Sequence, residues 1–562
     1  MRKLLIVLIA STGVLSGCSD FLSKDPDNRT YIDTPEKVVA LLTSAYPQTT
    51  FYTAVEARCD GYVDYGTAAS GYNSLFLYQE DAFQWRENPL TSDGAWDGNN
   101  RLWEASYNAV ATANHALAAI DELEAQEGPS TQLSLSRGEA LLCRAYAEFC
   151  LLTLFSDFFD YENMATNPGV PYVTTPETTT FANYTRGTVA STLSMVLQDI
   201  DEGSKLVGGS SDYTEPKFHF TTQSALALAT RVALFSREYP KVINYVNQFF
   251  PATVTNYVTN GQKNQDGSLV QFPAEDDPCR IFCRNNLTDW NLLSSYNDNP
   301  DAIGQEFTDA DANWNLLLSE PVTAIYRTIA ANIFTRYCLD EQIMDQISSL
   351  NATGTGWTYP NIVYSYSGGI QGKVLQKYYE DFYYSDIVAG IGTGYAKVPL
   401  FRTDEMLLAR AEAYTMTGQF SKAIDDLNLY IETRIPEENF DIMTTSLTEA
   451  KIKNYYKAQT SGKNSFINNE YNAGRFLTDE TQAELQKALI LTILDFRRIE
   501  FLYEGQRYYD ILRWYIPVTH RDMTGRTSTL TPDDDRRILQ IPQTATLAGL
   551  QPNPMTNIPQ PW

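Results

Sequence analysis

RRIEFLYEGQRYYDILRW, residues 497–514, is the stretch that decides the fold. Read as one helix, it turns apolar side chains in nearly every direction, which is typical of a helix buried on all sides. It also carries seven charges, and a buried charge is tolerated only when it is paired and hydrogen-bonded. The helical spacing therefore predicts a network of ion pairs that joins Glu504 to Arg507, Arg507 to Asp510, and Asp510 to Arg513.

Glu500 and Glu504 lie one helical turn apart in this stretch, so their carboxylates share a face. Arginines lie beside them, and a neighbouring arginine holds a carboxylate ionised. A structural ion network is the favoured interpretation. The alternative is a catalytic pair, in which one carboxyl acts as the acid and the other as the base.

The same stretch resembles the C-terminal signature of the SusD/RagB family. The matched positions are Arg497, Arg498, Glu500, Glu504, Gly505, Arg507, Asp510, Arg513 and Trp514. The end of the chain, at residues 539–542 and 553–562, is similar to the family's proline-rich tail, with Gln540 and Pro561 as departures. The resemblance implies a mainly α fold, in which a divergent scaffold of tetratricopeptide-type helical repeats carries long irregular ligand-binding loops.

The first residues have the form of a bacterial lipoprotein signal. Arg2 and Lys3 precede an apolar run, residues 4–10, that is too short to span a bilayer, and Leu15-Ser16-Gly17-Cys18 follows. We predict a signal peptide over residues 1–17 and a lipidated Cys18, which tethers a SusD-like domain over 18–562 to a membrane. The alternative is an ordinary signal peptide followed by a chance cysteine. The resemblance implies the outer membrane, with the protein exposed at the cell surface.

The charge of the chain limits its ligands. Its 562 residues carry a formal net charge of −27, and the pI is near 4.5. Nucleic acid, acidic lipid and polyanionic substrates would be repelled, whereas neutral and cationic ligands are compatible with this charge. Acidity that only keeps an exposed protein in solution is the default interpretation.

Internal similarity predicts helical repeats. Residues 144–147, 231–234 and 410–413 each begin with arginine, are rich in small residues, and are followed by an aromatic side chain. We predict four divergent repeat units, near residues 100–125, 135–160, 222–250 and 400–434. Three segments of other composition are predicted to be irregular and to bind ligand; they lie near residues 60–98, 254–314 and 354–394.

Aromatic side chains in these polar segments suit sugar binding, because a flat ring covers the apolar face of a sugar while polar neighbours bond its hydroxyls. Trp85, Trp96, Trp290, Trp314 and Trp357 lie in the irregular segments, and we expect about half of them to be packing residues. Trp103 and Trp514 are predicted to be core residues. The resemblance selects a ligand site by region, which comprises Asp60, Tyr62, Asp64, Trp85, Trp96, Trp290 and Tyr296.

Enzyme and metal motifs are absent or weak in the sequence. It contains no Gly-x-Ser-x-Gly, no Walker loop and no His-Glu-x-x-His. With three histidines and no Cys-x-x-Cys pair, no zinc-site spacing occurs. We expect no cofactor. A structural calcium ion at Asp266, Asp276 and Asp277 is the weaker alternative, because their spacing is not that of an EF-hand.

The resemblance implies a non-catalytic surface lipoprotein that captures a polysaccharide or oligosaccharide and delivers it to a SusC-like TonB-dependent transporter. Two alternatives stay open. One is peptide capture, as in RagB-like relatives, and the other is a glycoside hydrolase that uses two of the many carboxyl groups.

Overall fold

The protein is described from a computed structural model. It covers residues 32–66, 77–86, 97–177, 184–250, 276–325, 336–340, 343–344, 352–358, 362–365, 371–458 and 476–556. The predicted signal peptide and Cys18 lie outside these described residues, as does Trp96. Within the described part of the chain, none of the helices combines the length and the apolar character that a bilayer crossing requires.

Helices form most of the described chain. They are α1 (Pro35–Leu42), α2 (Phe51–Val55), α3 (Leu77–Phe83), α4 (Asn99–Glu127), α5 (Thr131–Phe155), α6 (Val189–Gly203), α7 (Thr222–Phe235), α8 (Tyr239–Phe249), α9 (Pro278–Asn286), α10 (Trp290–Ser294), α11 (Pro300–Phe307), α12 (Thr403–Met416), α13 (Phe420–Ile431), α14 (Ile442–Thr445), α15 (Glu449–Ala458), α16 (Glu480–Glu500), α17 (Gln506–Arg513) and α18 (Gln543–Leu547). The predicted mainly α class is confirmed.

The strands are short. They are β1 (Tyr62–Asp64), β2 (Asn315–Ser319), β3 (Tyr337–Leu339), β4 (Ile362–Ser365), β5 (Gln371–Val374), β6 (Asp381–Asp386), β7 (Ile391–Tyr395), β8 (Val398–Arg402), β9 (Val518–Asp522) and β10 (Thr527–Leu530). One sheet has the order β10-β9-β1-β3, in which only β1 and β9 are parallel. The remaining described strands form antiparallel pairs, β2 with β8, β4 with β5, and β6 with β7.

Three helix pairs fold back on themselves at residues with left-handed backbone conformations. Gly128 (φ 86°) follows α4, Arg237 (φ 60°) follows α7, and Gly418 (φ 75°) follows α12. A left-handed residue ends a helix readily, and glycine adopts it without steric cost. The short connections therefore bring α4 against α5, α7 against α8, and α12 against α13. The second and third pairs fall within the predicted units 222–250 and 400–434, whereas α4 and α5 correspond to two separate predicted units, near 100–125 and 135–160.

The arginines that opened the internal similarity hold neighbouring helices together. Arg144 makes a two-bonded ion pair with Asp199 at 2.6 and 2.8 Å. Arg231 binds Glu405 in the same way at 2.7 and 2.6 Å, and Arg410 binds Asp426 at 2.8 and 2.7 Å. All three arginines are buried. The similarity thus reflects one repeated device, a buried guanidinium that clamps a carboxylate on another helix.

Residues 497–514 form two helices, which corrects the prediction of a single one. Helix α16 ends at Glu500, the chain turns through Tyr503 (φ 67°) and Gly505 (φ 66°), and α17 follows. A Cβ atom on Gly505 would lie 3.0 Å from the Tyr52 Cα, so the close approach of α2 also favours glycine. The buried Glu56 carboxylate accepts hydrogen bonds from the backbone N–H groups of Tyr503 and Gly505 at 3.1 and 3.0 Å.

The prediction that the charges of this stretch are buried and paired is confirmed, but most of the partners differ. Arg513 binds Asp510 at 2.7 Å, as predicted. Arg507 instead binds Asp60 at 2.8 Å, and Glu504 binds Lys377 at 2.7 Å. Because the chain breaks at Gly505, the spacing of one continuous helix does not apply, and Asp510 of α17 also meets Arg497 of α16 at 2.9 Å.

Candidate functional site

A cluster of buried charges surrounds Arg402 at the end of β8. We name it the Arg402 junction, and its members are Lys377, Arg402, Asp404, Arg434, Glu500 and Glu504. Each of them is at most 3% exposed. Three cations thus face three carboxylates, and the buried charge balances.

Arg402 lies at the centre of the junction. Its guanidinium donates to Asp404, Glu500 and Glu504, each at 2.8 Å. Burial by itself would raise the pKa of Glu500, but Arg434 and Arg402 hold it well below its usual range. Burial lowers the pKa of Lys377, although Glu504 acts in the opposite direction. The Glu500 carboxylate is therefore held ionised and closed off from solvent, which suits packing and not acid catalysis.

Trp290 belongs to this junction. It is 1% exposed, and its indole N–H donates to Glu500 Oε2 at 3.1 Å. The Phe307 ring stacks near it, with 6.1 Å between ring centroids. Its position does not support the prediction that Trp290 stacks on a ligand, because a ring without exposed surface cannot be reached by a sugar.

Asp60 and Asp64 lie on the chain that enters and forms β1, and arginines hold both. Asp60 binds Arg507 through two hydrogen bonds at 2.8 and 2.9 Å. Burial would raise the pKa of Asp60, yet Arg498 and Arg507 hold it well below its usual range. Asp64 binds Arg336 through two bonds, both at 2.6 Å. These carboxylates connect distant parts of the chain, and their role in ligand binding stays a prediction.

Trp85 lies in the interior, which corrects its predicted place on a binding surface. It is 1% exposed, and its N–H donates to the Arg58 carbonyl at 3.1 Å. Its ring stacks on the His520 ring of β9 at 4.3 Å between centroids, and the Arg536 guanidinium lies 5.7 Å from its centroid. Tyr62 is also buried, at 3% exposure. Neither ring offers a face to a ligand.

Tyr296 is the remaining described member of the predicted site. It is half-buried in the turn that follows α10. Asp60, Tyr62, Asp64 and Trp85 lie around the four-stranded sheet, whereas Trp290 lies in the Arg402 junction. The structure therefore gathers part of the predicted set at one sheet and disperses the rest. The other tryptophans of the irregular segments, Trp314 and Trp357, are buried, and so are Trp103 and Trp514, as predicted.

Two of the segments predicted to be irregular contain regular structure, which is a further correction. Segment 254–314 holds α9, α10 and α11. Segment 354–394 holds the strands β4 to β7. Each of the three helices begins at an aspartate or asparagine that caps its first turn, so three of the polar residues that suggested a loop, Asp277, Asp289 and Asn299, are helix-capping residues.

One of these caps is Asp277, a candidate calcium ligand. Its carboxylate accepts hydrogen bonds from the backbone N–H groups of Cys279 and Arg280 at 2.8 and 3.3 Å. Asp266 lies outside the described residues. Over the described ranges, no three acidic, histidine or cysteine side chains are placed to hold a metal ion. Calcium binding stays a prediction.

A groove of about 510 Å³ lies between α4, the loop of residues 171–177 and α18. Its wall is partly aromatic and partly polar, with Trp103, Glu104, Tyr107, Asn108, Glu177 and Tyr184 among the lining residues. The Trp103 and Tyr107 ring centroids are 4.9 Å apart, at an angle of 59°. The Tyr107 hydroxyl donates to the Pro171 carbonyl at 2.9 Å, which fixes the loop against α4.

The groove combines ring surface with groups that bond hydroxyls. Glu104, Asn108 and Glu177 are exposed, and Tyr184 is 37% exposed with its hydroxyl bonded to Glu177. Concave sites of this kind, largely apolar with a few converging polar groups, are typical of ligand sites. The sequence prediction missed this groove. The available signal was the placement of Glu104 and Asn108, four residues apart, beside the aromatic pair on α4.

Comparison with known families gives two matches that together cover most of the chain. A family model described as starch-binding, associating with outer membrane, matches residues 20–234. The SusD family model matches residues 253–537, which is more than half of the chain.

Individual relatives agree with these matches. The SusD-like protein P38 of Formosa agariphila is 24% identical over 94% of this chain and 93% of its own length. A crystal structure of a SusD superfamily protein from Bacteroides vulgatus has a TM-score of 0.61 at 14% identity, over 94% of this chain and 99% of that one. A putative sugar binding protein from the same species has a TM-score of 0.59 at 16% identity, over 94% and 100%. At these identities the structural likeness shows the fold alone.

Proposed function

This chain belongs to the SusD family, and from that premise we propose that it binds carbohydrate without converting it. The observation that carries the proposal is the match of residues 20–234 to a model described as starch-binding, continued by the SusD match over residues 253–537. The net charge of −27 is compatible with a neutral ligand and disfavours a polyanionic one.

The groove beside α4 is the proposed glycan site. The Tyr107 and Tyr184 rings supply apolar surface for the C–H face of a sugar, and the carboxylates and amide accept or donate hydrogen bonds to hydroxyls. No step in this proposal requires a proton transfer or a nucleophile. Capture alone accounts for the groups that line the groove.

The finer parts of the prediction belong to the same proposal. The helix pairs form a divergent tetratricopeptide-type scaffold, and a lipid on Cys18 tethers the protein to the outer face of the outer membrane. A SusC-like TonB-dependent transporter receives the captured glycan. Removing the lipid site with Cys18→Ala is expected to release the protein from membranes while glycan binding persists. Acyl labelling of the variant would contradict this anchor.

The function is tested with the chain from Ser19 to Trp562 on an array of neutral polysaccharides, followed by calorimetry with the strongest ligand. We expect binding in solution and unchanged chain length of the oligosaccharide after prolonged incubation. Shortened oligosaccharide would indicate a glycoside hydrolase, and binding of peptides in place of glycans would indicate RagB-like capture.

The groove is tested with Glu104→Gln and Tyr184→Ala, which alter exposed lining residues. Each variant is expected to weaken glycan binding about tenfold, which corresponds to about 1.4 kcal/mol. The matched control is Glu122→Gln, which changes an exposed carboxylate elsewhere on α4. Equal affinities for all three variants and wild type would exclude the groove.

A further inference from the structure

The hairpin of β6 and β7 exposes aromatic side chains that no described part of the chain covers. Phe382 is 36% exposed, Tyr384 is 53% exposed and Tyr383 is 72% exposed. The tip continues with the exposed Ile387 and Val388. Contiguous exposed apolar surface of this kind marks interaction sites in folded proteins.

The hairpin places two of these rings together on one face. Side chains alternate along a strand, so Phe382 and Tyr384 share a face and Tyr383 occupies the other. The Phe382 and Tyr384 ring centroids are 4.8 Å apart, and the ring planes meet at 67°. The pair therefore forms an open corner, one ring standing beside the other. We name these two rings the aromatic corner.

Glycines on β7 make room for the aromatic corner. Gly394 pairs with Phe382, and Gly392 pairs with Tyr384. A Cβ atom on Gly392 would lie 2.6 Å from Phe382 Cε1. No side chain of β7 therefore stands between the rings on this face. The turn is braced as well, because the Asp386 carboxylate accepts the backbone N–H groups of Val388 and Ala389, both at 2.9 Å.

We propose that the aromatic corner is a second contact for a neutral glycan, apart from the groove beside α4; this inference rests on the proposed function. One ring covers the C–H face of a sugar unit, and the other closes the side of that unit. Residues 381–395 include two carboxylates and no lysine, arginine or histidine, so the hairpin repels anions and offers acceptors to hydroxyl donors. Because the rings are held by a braced hairpin, the hairpin loses little conformational entropy when the glycan binds.

The test uses the chain from Ser19 to Trp562 and the strongest neutral oligosaccharide from the array, with calorimetry and a melting curve for each variant. Tyr384→Ala and Phe382→Ala are expected to weaken affinity about tenfold, with melting midpoints close to wild type. Tyr384→Phe keeps the ring and is expected to stay within about threefold. Tyr383→Ala is the matched control on the opposite face and is expected to leave affinity unchanged.

Several outcomes would overturn the inference while the proposed function stands. One is unchanged affinity in Tyr384→Ala and Phe382→Ala when Glu104→Gln still weakens binding. Another is an equal loss of glycan affinity in the tip variant Ile387→Ser/Val388→Ser, which would show that the apolar hairpin as a whole, and not the aromatic corner, makes the contact. A wild-type chain that binds no array glycan would instead overturn the proposed function itself, before any variant is needed.

Discussion

The Arg402 junction and the β6–β7 hairpin each place side chains in an environment that is unusual for them: the junction buries charged groups, and the hairpin exposes apolar ones. The junction places six charged groups in the interior, each at most 3% exposed. The hairpin places large apolar side chains in solvent, and Val388 is 98% exposed. Each arrangement is unfavourable unless the groups have partners.

The location of those partners separates the two regions. Every charge of the junction is paired within the chain, so its cost is offset by folding itself. The rings of the hairpin have no such cover among the described residues, which is the observation behind the glycan contact proposed above. We infer a structural role where buried charges are paired within the chain. We infer a binding role where exposed apolar rings have no cover among the described residues. The following variants test this distinction.

The largest effect is expected in the junction. Glu504→Ala removes the carboxylate shared by Lys377 and Arg402 and leaves two buried cations undercompensated, which is expected to cost about 5 kcal/mol of unfolding free energy. Urea denaturation measures this loss. Glu438→Ala, at an exposed carboxylate, is the control. A midpoint equal to wild type would show that the junction does not support the fold.

Trp85→Ala is expected to have the next largest effect. It removes a ring stacked on His520 in a fully packed position, which is expected to cost about 3–4 kcal/mol. Thermal denaturation of this variant is compared with Tyr383→Ala, whose ring is exposed. A melting midpoint close to wild type together with a large loss of glycan affinity would return Trp85 to the binding surface.

We expect Glu56 to make the free energy of unfolding depend on pH, by about 3 kcal/mol between pH 4.5 and 7. Burial raises its pKa from 4.5 to about 7. Between these values the folded protein holds a proton that the unfolded chain has released, so this group makes stability fall as pH rises from 4.5 to 7. Urea titrations across that range are expected to show a shallower decline in Glu56→Gln. Identical slopes in the variant and wild type would contradict the assignment.

The smallest effect is expected at the hairpin tip. Val388→Ser changes a side chain without internal contacts of consequence, so the unfolding free energy is expected to shift by less than about 0.5 kcal/mol. Urea denaturation of this variant is compared with that of Val63→Ser, which changes a buried valine of β1 and is expected to lose much more stability. A loss in Val388→Ser as large as in Val63→Ser would mean that the tip packs against the chain.

The resemblance of residues 497–514 to the SusD/RagB signature was sufficient for the class of the fold, and the apolar residues on every side of this stretch were sufficient for the burial of its charges. The sequence was insufficient for the partners. Glu504 meets Lys377 across 127 residues and Arg402 across 102, and helical spacing carries no information about such contacts. The break at Gly505 left a local signal, since glycine is a poor helix residue and adopts the left-handed conformation readily.

The sequence was less informative about the ligand site, for a related reason. An aromatic ring in a polar segment has the same sequence context whether it packs or binds. Trp85 is buried because the His520 ring covers it. His520 lies on β9, far from Trp85 in the chain, so the sequence gives no sign that the two rings meet. The hairpin left a clearer trace, because the aromatics of β6 face the glycines of β7.

Glu56 also sets an order of events. Synthesis proceeds from the N-terminus, so this carboxylate exists long before the N–H groups that it accepts, which lie 447 and 449 residues later. Until those residues appear, Glu56 has to stay hydrated, and α2 cannot settle into its final place. The packing around α2 is therefore completed by a late segment of the chain. A polypeptide that stops before residue 503 lacks the N–H groups that bind the Glu56 carboxylate.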